Sequence, residues 1–176
     1  ISGYMFLEDN QWYSIRDIIR NAKRLGSLIT LDIGVEAARK AKERVRKILT
    51  EINILFISKY ELEIYSGSKS IEYGLKQLRI EGAKIIALKL ANRGSKLVYK
   101  NSCYDIPAFK FTKIVDTTGA GDSFNAGFIY GISKKLSFFD CAILGNAIGG
   151  LIVSSENRIS KLPKSRILRS CLINLI

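Results

Sequence analysis

Seven consecutive residues, Asp116-Thr117-Thr118-Gly119-Ala120-Gly121-Asp122, stand before a stretch carrying Phe124, Phe128 and Ile132 on one helical face. Amides at the start of a helix have no partners within it, and with the helix dipole they favour negative charge. Two glycines and an alanine let a phosphate come close to that backbone. Asp122 falls at the same N-terminus, where a carboxylate touching an anion would be costly. The conflict resolves if Asp122 accepts the proton of a substrate hydroxyl while residues 119–121 hold a transferring phosphoryl group. Phosphoryl transfer depends chiefly on such positioning and charge stabilisation. For a bare Gly-x-Gly-Asp, the competing reading is an aspartate that merely stabilises the first helical turn. The string is neither the Gly-Lys-Ser/Thr phosphate loop nor Gly-x-Gly-x-x-Gly.

The surrounding sequence must supply elements that present this turn. Short apolar runs at 28–32, 52–57 and 83–88 read as strands. Between them, Trp12 to Leu25, Val35 to Leu49, a short segment ending near Gly67, and 69–80 read as helices. This alternation indicates an α/β fold with a mostly parallel sheet. Residues 2–7 also read as a buried strand. After Leu90 the rhythm changes. Gly94 marks a tight turn, and Ser95 to Tyr99, Cys103 to Ile106 and Lys110 to Lys113 alternate as antiparallel strands do. Two apolar helices are expected near 121–134 and 137–155. Pro107 and Pro163 lie outside these elements. Without linker or repeat, residues 1–176 read as a single domain.

Bulk properties narrow the chemistry. The 176 residues are 47% hydrophobic and 25% charged, which suits one ordinary globular domain. The net charge of +12 comes from 28 basic and 16 acidic residues. Its densest run, residues 39–47, reads as a solvated helix face rather than a nucleic-acid patch. A field of this sign also attracts anionic small ligands. The chain has no histidine, which excludes His-based metal sites and Ser-His-Asp or Cys-His catalysis within it. Cys103, Cys141 and Cys171 are odd in number and widely spaced, with neither a zinc nor a disulfide pattern, and a reducing, cytoplasmic setting is expected. No apolar run is long enough for a membrane span, and no signal peptide is visible.

The string 116–124, followed by Ala126-Gly127-Phe128, resembles the second signature of the ribokinase, or PfkB-type, carbohydrate kinase family. The resemblance extends over nearly the whole chain and implies a ribokinase-like three-layer fold. It also implies transfer of phosphate from ATP to a hydroxyl, typically a hydroxymethyl, of a small sugar or nucleoside. It makes Asp122 the catalytic base and Gly119, Ala120 and Gly121 the anion hole. Ser58-Lys59-Tyr60-Glu61 falls where the family has Asn-x-x-Glu, so Glu61 would organise Mg2+ through water. Ser58 replaces the asparagine and could cap a helix. Lys89-Leu90-Ala91-Asn92-Arg93-Gly94 matches the nucleotide loop, with Ala91 in place of its first glycine. Asn146 matches an asparagine near the adenine, with a packing role as the competing reading. Asp32, at a strand end, could face the substrate cleft or serve the structure.

Asp116 and Thr118 resemble residues that give oxygens to a monovalent cation. The rest of that site would lie near 152–161, where Asn157-Arg158 and Lys161 stand, and a fixed lysine or arginine charge is expected to replace the cation. The family's N-terminal part is missing from the sequence, with its first glycine signature, most of its sugar pocket and a small β-sheet lid. The expectation is therefore the ATP-binding, catalytic portion of such a kinase. The alternative is a truncated, inactive remnant that binds nucleotide or another protein. The acceptor is left unnamed, and a homo-oligomer is left open.

Overall fold

The computed structural model describes residues 1–109 and 114–154. It has a five-stranded sheet in the order β1-β2-β3-β4-β5, formed by Thr30–Asp32, Ile54–Ser58, Ile85–Lys89, Ser95–Tyr99 and Ser102–Ile106. Its helices are α1 (Asp9–Arg24), α2 (Val35–Lys40), α3 (Lys42–Ile48), α4 (Lys59–Ser66), α5 (Ile71–Ile80), α6 (Ala120–Ser133) and α7 (Phe138–Ser154). Strands β1, β2 and β3 run parallel, with Leu31 beside Leu55 and Leu55 beside Ile86. Only two residues join β4 to β5, the connection of an antiparallel hairpin. The α/β architecture with a mostly parallel sheet is as the sequence predicts. The expected strand at 110–113 lies outside the described residues, as do Asn157, Arg158, Lys161, Pro163 and Cys171.

The chain divides into two compact units. The first is Ile1–Lys89 with Val98–Cys103, and the second is Leu90–Leu97 with Tyr104–Ile176. In the first, β2 and β3 are buried at every position but the last, as strands covered on both faces should be. Helix α1 turns Trp12, Ile15 and Ile19 inward and ends at Gly26, whose φ of 69° suits only a residue without a Cβ clash. Tyr65 is fully buried and donates to Glu81 Oε2 at 2.6 Å, while the other oxygen of that carboxylate, Oε1, accepts from Gln77 Nε2 at 3.0 Å. Burial, then that hydrogen bond, pushes the Tyr65 phenol well above its ordinary range.

Two elements of this unit differ from the sequence expectation. Residues 2–7 are not a strand. Only Ser2 bridges to Asp32, and Gly3–Phe6 then form one 3-10 turn. That turn buries Phe6 edge-on against Trp12, with ring centroids 5.5 Å apart. The apolar run marks contact with α1 rather than extension. The expected helix from Val35 to Leu49 is broken at Ala41, where φ is −123° and ψ is 22°. Its buried positions Ala37, Ala38, Ala41, Val45 and Ile48 keep a helical rhythm across the break. Periodicity alone therefore does not reveal it.

In the second unit, α6 and α7 form a tight antiparallel pair. Every residue from 141 to 149 is buried, including Cys141. Burial, with the Asp140 charge second, pushes that thiol up to about 11. Glycines allow the two backbones to approach. A Cβ on Gly127 would lie 3.0 Å from Leu144 O, and one on Gly145 would lie 2.9 Å from the Phe124 ring and 3.0 Å from Phe124 O. Opposite the start of α6, a Cβ on Gly149 would lie 3.2 Å from Ala120 O. Glycine to alanine within a helix ordinarily stabilises by about 0.5–1 kcal/mol. Gly145→Ala is expected to do the reverse and destabilise by about 1–3 kcal/mol, because the buried Phe124 ring must move. Urea unfolding of the two proteins reads the sign, and a stabilised variant would contradict this packing.

Candidate active site

The second unit carries the glycine-rich turn at 116–122. Asp116 Oδ1 accepts the Thr118 amide at 2.7 Å, which curls the backbone into an Asx-type turn. The segment is tied down by the Val115 amide, which donates to Val153 O in the last turn of α7 at 2.8 Å. Gly119 takes φ 78° and ψ 0°, and from this left-handed residue the chain enters α6. The Ala120 amide donates to Thr117 O at 3.2 Å and the Ser123 amide to Gly119 O at 2.9 Å. Among the described residues, the amides of Gly119, Gly121 and Asp122 donate to no backbone acceptor. Asp122 is exposed in the first turn of the 14-residue α6. Open amides, the positive end of a helix dipole and a carboxylate thus share one helix start.

The loop after β3 lies in the same unit. Ala91–Arg93 form a 3-10 turn closed by Leu90 N to Gly94 O at 2.8 Å and Gly94 N to Ala91 O at 3.0 Å. Ala91 has φ 55°, a left-handed value that a Cβ opposes. Glycine is the residue that adopts this conformation without such a cost. Gly94, at φ 87° and ψ −129°, has no such latitude. A Cβ there would sit 2.1 Å from Ile106 O and 2.5 Å from Ala108 N. Asn146 is buried on α7, and its Nδ2 donates to Ile106 O and Pro107 O, each at 3.1 Å. This bonding is what the packing reading of Asn146 describes. Gly94 and Asn146 thus grip the same stretch, 106–108. One turn further along α7, Gly149 meets the start of α6. A continuous run of contacts links the loop at 91–94 to the turn at 119–122.

The first unit places the remaining candidates at the carboxyl ends of its parallel strands. Ser58 ends β2 and caps α4: its Oγ accepts the Glu61 amide at 3.2 Å, and Glu61 Oε2 accepts the Ser58 amide at 2.7 Å. This reciprocal box fixes the Glu61 carboxylate and commits one of its oxygens. Lys89 ends β3, and its Nζ lies 2.9 Å from Asp32 Oδ1 at the end of β1. The pairing was not anticipated from the sequence. Its only trace there is one charged residue closing each of two strands. No group of three or more acidic, cysteine or histidine side chains suited to a metal occurs among the described residues. No described helix is long and apolar enough to cross a membrane.

Comparison with known proteins places this arrangement. The model of the pfkB family carbohydrate kinases matches residues 13–165. The chain belongs to the pfkB family. A nucleoside kinase of Methanocaldococcus jannaschii is 30% identical over 137 residues, covering 78% of this chain and 44% of the relative. A 2-dehydro-3-deoxygluconokinase of Bacillus subtilis is 35% identical over 112 residues, covering 64% and 35%. The chain spans about half the length of the curated relatives it matches. Among solved structures, aminoimidazole riboside kinase from Salmonella enterica, complexed with aminoimidazole riboside and an ATP analog, superposes with TM-score 0.87 at 21% identity. That match covers 98% of this chain and 61% of the other. Fructokinase from Vibrio cholerae, bound to fructose, ADP and calcium ion, gives 0.85 at 22% identity, covering 98% and 59%. These likenesses establish the ribokinase-type fold of this pfkB-family chain.

The strain at Ala91 gives a direct check on the loop. Ala91→Gly is expected to stabilise the chain by about 0.5–1 kcal/mol, since the left-handed cost exceeds the entropy that glycine adds. A thermal melt measures it, and a lowered melting temperature would contradict a left-handed residue 91.

Proposed function

We propose that this chain carries the ATP-binding and phosphoryl-transfer machinery of a kinase for a small sugar or nucleoside. The observation that supports it most is the helix start at 119–122, where open amides and an exposed carboxylate occur together. The donor set suits a nucleotide. The glycine contact at 94 leaves no room for a side chain, and the amides of Gly119, Gly121 and Asp122 face no protein acceptor among the described residues. Leu90 to Gly94 would hold the nucleotide beside Asn146, whose bonds to residues 106 and 107 keep that loop's support in place. Lys89 would meet the phosphates.

In the reaction, Asp122 accepts the proton of the acceptor's hydroxymethyl group. The freed oxygen attacks the γ-phosphorus, the bond to the β,γ-bridging oxygen breaks, and ADP leaves. Charge on the transferring group is stabilised by the amides of residues 119–121. Ala120, whose amide already donates to Thr117 O, is the weakest contributor of the three. Bound magnesium would neutralise charge across the phosphates, with Glu61 holding its water shell through the oxygen that the helix cap leaves uncommitted. Asp116 has an oxygen on the Thr118 amide, so its contribution to a monovalent cation would come from its other oxygen. A cytoplasmic setting accords with the odd number and wide spacing of the cysteines.

Turnover by the purified chain is expected with ATP, magnesium and some member of a sugar and nucleoside panel. Asp122→Asn is expected to lower kcat by about 10²–10⁴-fold while ADP affinity stays within about twofold. A coupled ADP-release assay reads the first and calorimetry the second. Undiminished turnover in Asp122→Asn would contradict the assignment. ATP binding without turnover of any acceptor would instead identify a nucleotide-binding remnant.

A further inference from the structure

Asp116 stands ahead of the position from which a side chain caps a helix. Gly119 holds the N-cap of α6 and has no side chain to offer its amides. Asp116 instead joins two anchored pieces of chain. Its own amide and that of Val115 both donate to Val153 O, at 3.4 and 2.8 Å, which ties this segment to the last turn of α7. Its Oδ1 accepts the Thr118 amide at 2.7 Å. Thr117 O then accepts the Ala120 amide at 3.2 Å, and Gly119 O accepts the Ser123 amide at 2.9 Å. All of these groups belong to the second unit.

Packing does not hold this turn. Thr117, Thr118 and Gly119 are exposed, and a Cβ on Gly119 would meet nothing within 4 Å. Glycine is also the residue with the most backbone freedom. Without a local restraint, conformational entropy would spread the open amides over many directions. The short bond to a charged acceptor supplies that restraint. It also commits the Thr118 amide inside the turn, so that the uncommitted amides begin at Gly119. The charge of the carboxylate is a disadvantage so near to amides that would receive a phosphate. The turn needs the hydrogen bond and not the charge.

We propose that Asp116 is a positioning residue for the anion hole, acting through the Thr118 amide to aim the amides of Gly119, Gly121 and Asp122 at the group being transferred. The proposal rests on the kinase reading and adds to it the residue that sets the geometry of the hole. Asp116 serves as a hydrogen-bond acceptor, so a carboxamide of the same length replaces it. A carboxylate one methylene longer does not, because an Asx-type turn closes through the shorter side chain.

The test is calorimetric titration of the purified chain with ATP and AMP in magnesium buffer, with and without potassium, read as the ratio of the two affinities. The wild-type chain is expected to favour ATP, since only ATP brings a γ-phosphoryl group to the hole. In Asp116→Ala and Asp116→Glu that preference should fall by about five- to thirtyfold, the equivalent of freeing one backbone residue. Affinity for AMP should stay within about twofold. Asp116→Asn should keep the wild-type preference within about threefold, with or without potassium. Should Asp116→Ala not fold, Asp116→Glu takes its place. The proposal is overturned if both variants keep the preference or both unfold, since Asp116 would then serve stability alone. It is equally overturned if Asp116→Asn loses the preference as Asp116→Ala does, the mark of a required charge or a cation ligand. A wild-type chain that binds neither nucleotide, or both alike, overturns the reading of the helix start together with the proposal. A wild-type preference that survives in every variant overturns the proposal alone.

Discussion

The close approach of α6 and α7 is the constraint on which the second unit depends. Four glycines, at 127, 131, 145 and 149, stand where a methyl group would meet the partner helix or its side chains. At such contacts packing forces act at full strength, and even one methylene is felt. The pairing sets where α6 begins, because Gly149 abuts Ala120 and Val153 holds Val115. The orientation of the open amides at 119–122 is thus a consequence of helix packing, not a property of the turn alone. A glycine-rich turn on an unsupported loop would lose that orientation to conformational entropy.

The same economy governs the loop at 91–94. Asn146 holds the backbone at 106 and 107 from the side of α7, and Gly94 presses against the same stretch from the loop. One buried carboxamide thereby couples a helix, a strand end and a turn. Burial of its amide is tolerable because both contacts are hydrogen bonds. Ala91 retains the left-handed conformation despite its Cβ. The fold around it evidently outweighs about 1–2 kcal/mol of local strain.

Much of this was legible in the sequence, for identifiable reasons. Parallel strands buried on both faces leave continuous apolar runs, so β2 and β3 stand out, as does the rhythm of α1. The 116–124 string announced its helix start because glycine and aspartate have few other uses in that pattern. Three things were hidden. Ser2–Leu7 is apolar because Phe6 packs on Trp12, and periodicity cannot separate that from a strand. The break at Ala41 leaves the spacing of buried residues intact. The Asp32–Lys89 pair joins positions 57 apart in sequence, and no local signal carries a contact of that range. Ser58, which the sequence allows as a helix cap where the resemblance expects asparagine, completes the box with Glu61.

The central claim is that the helix start at 119–122 receives the group being transferred. Amide chemical shifts of the isotope-labelled chain, followed by nuclear magnetic resonance while a non-hydrolysable ATP analogue is added, examine it most directly. The Gly119, Gly121 and Asp122 amides are expected to shift strongly with the triphosphate analogue and little with AMP. Shifts confined to the 90–94 loop, with those three amides unmoved by the triphosphate, would contradict it.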